Sequence, residues 1–112
     1  MTTTSSLMGA IALAAFAASA PAAAANLDAG KQKAQEVCQA CHGMDGLSAI
    51  NAEYPKIGGQ HRDYLAKALR DYKAGTRKNP IMGAMAQPLT AADIDNVTSY
   101  YAAQPGPLQS RY

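Results

Sequence analysis

The chain has 112 residues, 10 Lys and Arg against 8 Asp and Glu, and a formal net charge of +2. This length supports one domain at most, and a multidomain protein, a large enzyme fold and a strongly basic nucleic-acid binder are excluded. All charged side chains lie beyond residue 25, and residues 26–112 hold only twelve Ile, Leu and Val and no Phe or Trp; a core this thin calls for a disulfide, a metal or a cofactor to complete it.

Leu7–Ala18 is a short apolar run, followed by Ser19, Pro21 and Ala22–Ala25. Although no Lys or Arg precedes it, the pattern is that of a secretory signal peptide cut near Ala25–Asn26. The run is too short and too rich in Ala for a membrane span of about 20 residues. The expectation is a cleaved segment 1–25 and a periplasmic domain 26–112 with no stable membrane insertion.

Asp28–Ala40 reads as a helix with Asp28 as its N-cap, and Gly30 within it marks a close approach by another backbone. Residues 43–60 contain four Gly and one Pro and read as a loop. His61–Ala74 is amphipathic, with Tyr64, Leu65, Ala68, Leu69 and Tyr72 on one face, and Gly75 is its stop. Residues 76–89, with Pro80, Gly83 and Pro88, read as a second loop. Thr90 and Asp93 form a capping box in which Asp replaces the usual Glu. Thr90–Ala103 is the last helix, apolar at Ile94, Val97, Tyr100 and Tyr101, and Pro105, Gly106 and Pro107 end it. The class is all-α, with three main helices and two long loops. Loops of this length in so small a domain are functional rather than idle, and they suggest a chain wrapped around something it does not itself encode.

Cys38-Gln39-Ala40-Cys41-His42 is C-x-x-C-H, the attachment pattern for haem in c-type cytochromes. Thiols at i and i+3 on a helix end face one edge of a porphyrin, where each can form a thioether with a vinyl group. The next residue, His42, then reaches the iron. A Cys38–Cys41 disulfide would close a tiny loop and stabilise little. A redox dithiol wants a βαβ context, and zinc wants ligands beyond His61. The sixth iron ligand must come from elsewhere. Met44 is too close to His42 to cross the ring, and His61 reads as an exposed residue at a helix start. Met82 and Met85 in the second loop remain, one as ligand and the other as packing.

Cys38–Gly46 (CQACHGMDG), Tyr54–Gln60 (YPKIGGQ), Tyr64-Leu65, Lys73-Ala74-Gly75 and Met82–Tyr101 together resemble the small bacterial class I cytochromes c. The likeness is strongest to one half of the periplasmic di-haem cytochromes c and to their single-haem relatives. It implies a cytochrome c fold whose loops wrap one covalently bound haem c. It further implies Cys38 and Cys41 as thioether residues, His42 as the proximal iron ligand and Met82 as the distal one, with Met85 as packing. The same resemblance implies that the Pro55 carbonyl accepts a hydrogen bond from His42 Nδ1–H, and that Gly30 lets the first helix cross the last near Tyr100 and Tyr101. Only one C-x-x-C-H is present, so a second haem would have to belong to another chain.

Imidazole and thioether ligation favours Fe(II) and leaves no open iron position, which points to electron transfer and not to catalysis. The expected partners are redox proteins: a membrane cytochrome complex or dehydrogenase as donor, an oxidase or reductase as acceptor. The rival readings are a fixed haem subunit of a larger periplasmic dehydrogenase or reductase, a ligand-binding haem sensor or peroxidase, and a haem-free dithiol oxidoreductase. Lys67, Arg70, Lys73, Arg77 and Lys78 form either a solvated helix face or a docking patch for an acidic partner. Tyr54, Tyr64 and Tyr72 are expected to pack in the core or to line the haem pocket.

Overall fold

The computed structural model describes residues 9–17 and 24–109. Residues 9–17 are exposed and belong to no regular element, while residues 1–8 and 18–23 of the expected signal peptide lie outside the described residues. The described residues form helices and loops, with no strand among them.

The first helix starts two residues early. Asn26, not Asp28, is the cap: its Oδ1 accepts from Ala29 N–H at 3.0 Å, and its own N–H donates to Asn96 Oδ1 at 2.8 Å. From this cap α1 (Leu27–Lys33) runs through a wide turn at Ala34–Cys38 into α2 (Gln39–His42). In the wide turn Gln39 N–H reaches the Ala34 carbonyl, five residues back. Gly30 is the crossing point with the last helix. A Cβ there would sit 2.1 Å from the Asn96 carbonyl oxygen and 3.0 Å from Tyr100 Cβ, so only glycine fits.

The loop that follows crosses itself. Gly46, at φ +69°, accepts on its carbonyl from Ile57 N–H at 2.8 Å and Gly58 N–H at 3.0 Å. A Cβ on Gly46 would lie 2.5 Å from Gly58 N. This crossing folds residues 51–57 back over the end of α2.

Helix α3 (Arg62–Ala74) ends at Gly75 in the left-handed conformation, as its sequence indicates. Residues 76–89 are not a plain loop. They contain α4 (Pro80–Ala86), whose cap is Asn79; the Asn79 Oδ1 accepts from Ile81 and Met82 N–H at 3.0 and 2.9 Å. Pro80 opens this helix instead of breaking it, because its fixed φ suits the first turn and its missing N–H is not needed there. Helix α5 (Ala91–Ala102) carries the expected capping box, with Thr90 Oγ1 and Asp93 N–H 3.0 Å apart and the reciprocal bond at 2.9 Å. That Thr90 N–H bond, more than any other contact, holds the Asp93 carboxyl below its usual range.

Two small clusters hold the helices together. Ala34, Val97 and Tyr101 join the wide turn after α1 to α5, and Ala66, Leu89 and Ile94 join α3 to α5. Arg62 adds an ion pair to Asp95 at 2.8 Å. Val97 and Thr98 are the largest fully buried side chains, so the chain closes over very little of its own apolar volume. Thr98 satisfies its hydroxyl on the Ile94 carbonyl, 2.6 Å away.

Candidate functional site

The apolar face of α3 is only partly covered by α5, against whose residues Leu65 and Leu69 pack. The residue of α3 that packs to complete burial is Ala66, whereas Tyr64, Leu65, Ala68, Leu69 and Tyr72 line a slot. The slot has two chambers of about 230 and 310 Å³, which share Cys38, His42, Pro55, Leu69, Tyr72 and Met82 as walls. The sequence-predicted residues Cys38, Cys41, His42, Pro55 and Met82 therefore meet around one cavity, brought there by α2, the self-crossing loop and α4.

His42 ends α2 and is 7% exposed. Its Nδ1 lies 2.9 Å from the Pro55 carbonyl oxygen. A carbonyl can only accept, so Nδ1 carries the proton and Nε2 keeps the lone pair needed for a metal. The hydrogen bond also fixes the ring and raises its basicity. Tyr54 meets the imidazole edge-on, with ring centroids 6.3 Å apart. Two neighbouring residues of α5 secure the chain just after His42: Tyr101 Oη donates to the Gly43 carbonyl at 3.0 Å and Tyr100 Oη to the Met44 carbonyl at 2.8 Å. Burial pushes the Tyr101 hydroxyl well above its usual pKa, with Cys38, Tyr100 and Asp45 adding to the effect.

Cys38 and Cys41 are free thiols at the mouth of the same slot. Desolvation pushes the Cys38 thiol up to about 11 against an opposing pull from Lys33. Cys41 in its anionic form would push the adjacent Tyr54 hydroxyl upward.

Met82 lines both chambers, while Met85 lines only one and is 43% exposed. The cap on Asn79 fixes the Met82 backbone directly. Arg77 also faces the slot, its guanidinium 4.9 Å from the centroid of the Tyr72 ring. Sequence reasoning placed Arg77 only in a basic cluster and overlooked Asn79, although Asn followed by Pro is a helix-start signal. Three others of that cluster are engaged within the chain. Lys67 pairs with Asp71, Arg70 lies 4.0 Å from Asp95, and Lys73 bonds backbone carbonyls near Leu89.

The donor set fits an iron porphyrin. The walls Ile57, Leu65, Leu69 and Val97 are apolar, two thiols lie one turn apart, and His42 with two methionines, Met82 and Met85, lines the cavity. Among the described residues no three His, Cys, Asp or Glu side chains come together to hold a bare metal ion, which argues against a zinc site. The absence of any strand among them removes the βαβ setting of a redox dithiol. No helix among them is long and apolar enough to cross a membrane.

A family model described as Cytochrome c matches residues 27–103. The chain is 46% identical over 77 residues to cytochrome c4 of Thiocapsa roseopersicina, a match covering 69% of this chain and 39% of that protein. It is 42% identical over 65 residues to the thiosulfate dehydrogenase electron acceptor of Thiomonas intermedia, covering 58% of this chain and 30% of that one. The crystal structure of reduced recombinant cytochrome c4 from Pseudomonas stutzeri superposes with a TM-score of 0.66 at 36% identity, over 74% of this chain and 47% of that one. The chain thus spans less than half the length of these relatives.

Proposed function

Because the chain belongs to the cytochrome c family, we propose that it is a one-electron carrier of the periplasm, built on a single covalently attached haem c. The observation that carries this reading is the meeting of Cys38, Cys41, His42 and Met82 around one apolar slot, with His42 Nδ1 committed to the Pro55 carbonyl. Cys38 and Cys41 would form the thioethers, and His42 Nε2 and the Met82 sulfur would ligate the iron. An iron porphyrin held there supplies a Fe(III)/Fe(II) couple.

The chain's own residues make that couple easy to use. Pro55 holds the His42 tautomer, and the Asn79 cap holds the backbone of Met82, so neither ligand has to reorganise when charge changes. The apolar walls exclude water and favour the less charged, reduced state. With His42 and Met82 both bound to the iron, no position would be left for a substrate. Arg77 and Lys56 at the slot supply positive charge for the porphyrin carboxylates.

Residues 1–25 are read as a signal peptide removed near Asn26, a reading supported by the exposure and irregular backbone of residues 9–17. The partners are redox proteins, with a dehydrogenase or membrane cytochrome complex as donor and an oxidase or reductase as acceptor. A relative named as the electron acceptor of a dehydrogenase supports that class of donor. The test is an alkaline pyridine haemochrome spectrum and a redox titration of protein purified from an exporting host. One thioether-linked haem per chain and a one-electron Nernst curve are expected. A colourless protein whose two thiols both alkylate overturns the assignment.

A further inference from the structure

Helix α4 is weakly anchored by its own side chains. Ala86 is its only buried residue, and Ile81 and Met85 are 53% and 43% exposed. What secures its C-terminal end comes from another element. Lys73, in the last turn of α3, extends its ammonium to the carbonyls of Gln87, at 2.9 Å, and Leu89. Gln87 returns a bond from its side-chain amide to the Lys73 carbonyl at 2.7 Å. The carbonyls past a helix end have no partner within the helix, and a cation there also suits the helix dipole. Leu89, whose carbonyl is one of the acceptors in this latch, is itself packed against Ala66 and Ile94.

From these contacts we propose that Lys73 is a positioning residue that retains Met82 on the iron by latching the end of α4 to the end of α3. The proposal rests on Met82 being the distal ligand. Asn79 fixes the start of α4 at Met82 itself, so the segment is clamped at one end by a cap and at the other by Lys73. Releasing the second clamp lets Met82 leave more often without moving His42, which belongs to α2. Lys73 does not line the slot, so it acts through α4 and not by touching the porphyrin.

The test is cyanide binding to the oxidised holoprotein, which requires Met82 to vacate the iron, measured alongside the Met–iron absorption band and the denaturation midpoint. Lys73→Met keeps the stem and removes the donors. It is expected to raise the cyanide association rate on the order of tenfold, the factor that about 1.4 kcal/mol represents. Lys73→Arg, which still donates, should restore a rate near the parent's. Gln87→Leu removes only the returning bond and should raise the rate about threefold, which keeps the test open if Lys73→Met yields no holoprotein. Arg62→Met breaks the Asp95 ion pair away from the slot and reports what general loosening does; it should lower the midpoint and leave the rate alone. An unchanged rate in Lys73→Met, or equal rises in Lys73→Met and Arg62→Met, overturns the latch. If Met82→Ala keeps the Met–iron band, the ligand assignment itself fails and the latch fails with it; if Met82→Ala loses the band, a flat Lys73→Met result counts against the latch alone.

Discussion

The Tyr101 hydroxyl donates to the carbonyl of Gly43 at 3.0 Å, fastening the last helix to the residue directly after His42. Tyr101→Phe should therefore cost about 1 kcal/mol, the typical net worth of one hydrogen bond, read as a lower denaturant midpoint of the holoprotein. The substitution also changes alkaline behaviour. Burial raises the folded-state pKa of Tyr101 above its usual value of 10.0. The unfolded chain then releases the proton first, so this contribution is whole below about pH 10 and is lost as pH climbs from there toward the folded pKa. Stability measured upward from pH 10 should fall less steeply in Tyr101→Phe. Parallel curves would remove Tyr101 from that account.

The self-crossing loop gives a second handle. Gly46→Ala places a Cβ 2.5 Å from Gly58 N and 2.9 Å from the Tyr101 ring, at a positive φ. A loss on the order of 2–3 kcal/mol is expected. Moving this crossing also draws the Pro55 carbonyl away from His42, which weakens the imidazole as a donor and raises the reduction potential. A redox titration showing no upward shift would separate the crossing from the His42–Pro55 bond.

The two methionines make opposite predictions. Met82→Ala should keep the haem attached, lose the Met–iron band of the oxidised protein and lower the potential. Met85→Ala, at a position 43% exposed and outside one chamber, should leave band and potential in place. The reverse pattern in optical spectra would exchange their roles.

Asn79→Ala removes the cap from a seven-residue helix. Caps of this kind are worth about 1 kcal/mol. The loss should appear both in the denaturation midpoint and as easier displacement of the Met ligand by imidazole. A stability loss with ligand displacement unchanged would mean that the cap serves folding only.

A chain that cannot attach haem, Cys38→Ala with Cys41→Ala, should be largely unfolded by circular dichroism. Few large side chains are fully buried without a group in the slot, and a domain of this size has little surplus stability. Helix content equal to that of the holoprotein would show that the clusters around Val97 and Ile94 suffice.

Much of this site could be read from residue order. C-x-x-C-H states its own chemistry, Gly75 and the Thr90–Asp93 box carry end signals that act within one turn, and Gly30 announced a crossing that Asn96 and Tyr100 fulfil. Helix α4 was hidden because Pro80, Gly83 and Pro88 within nine residues look like breakers, and only the position of Pro80 directly after Asn79 turns one of them into a start. The stripe Tyr64, Leu65, Ala68, Leu69 and Tyr72 was correctly apolar, but an apolar stripe looks the same whether a helix or a ligand will cover it. Choosing Asn26 over Asp28 as cap depended on a partner at Asn96, seventy residues away. The latch from Lys73 to Gln87 and Leu89 left no trace in the pattern, since an exposed lysine near a helix end is ordinary.

The wide turn at Ala34–Cys38 has a geometric consequence for the whole first helix. Gly30 and Ala34 look toward α5, while Cys38, Cys41 and His42 look into the slot. In a regular helix each residue advances the direction of its side chain by about 100°, and a turn of this type absorbs roughly one extra residue. It acts as a phase shifter between two stretches of one rod. Winding the same residues as a regular helix would swing both thiols and the imidazole together by more than a quarter of a revolution, aiming an intact attachment motif at the wrong side of the molecule, whereas removing one residue from the turn would restore regular winding with their direction kept.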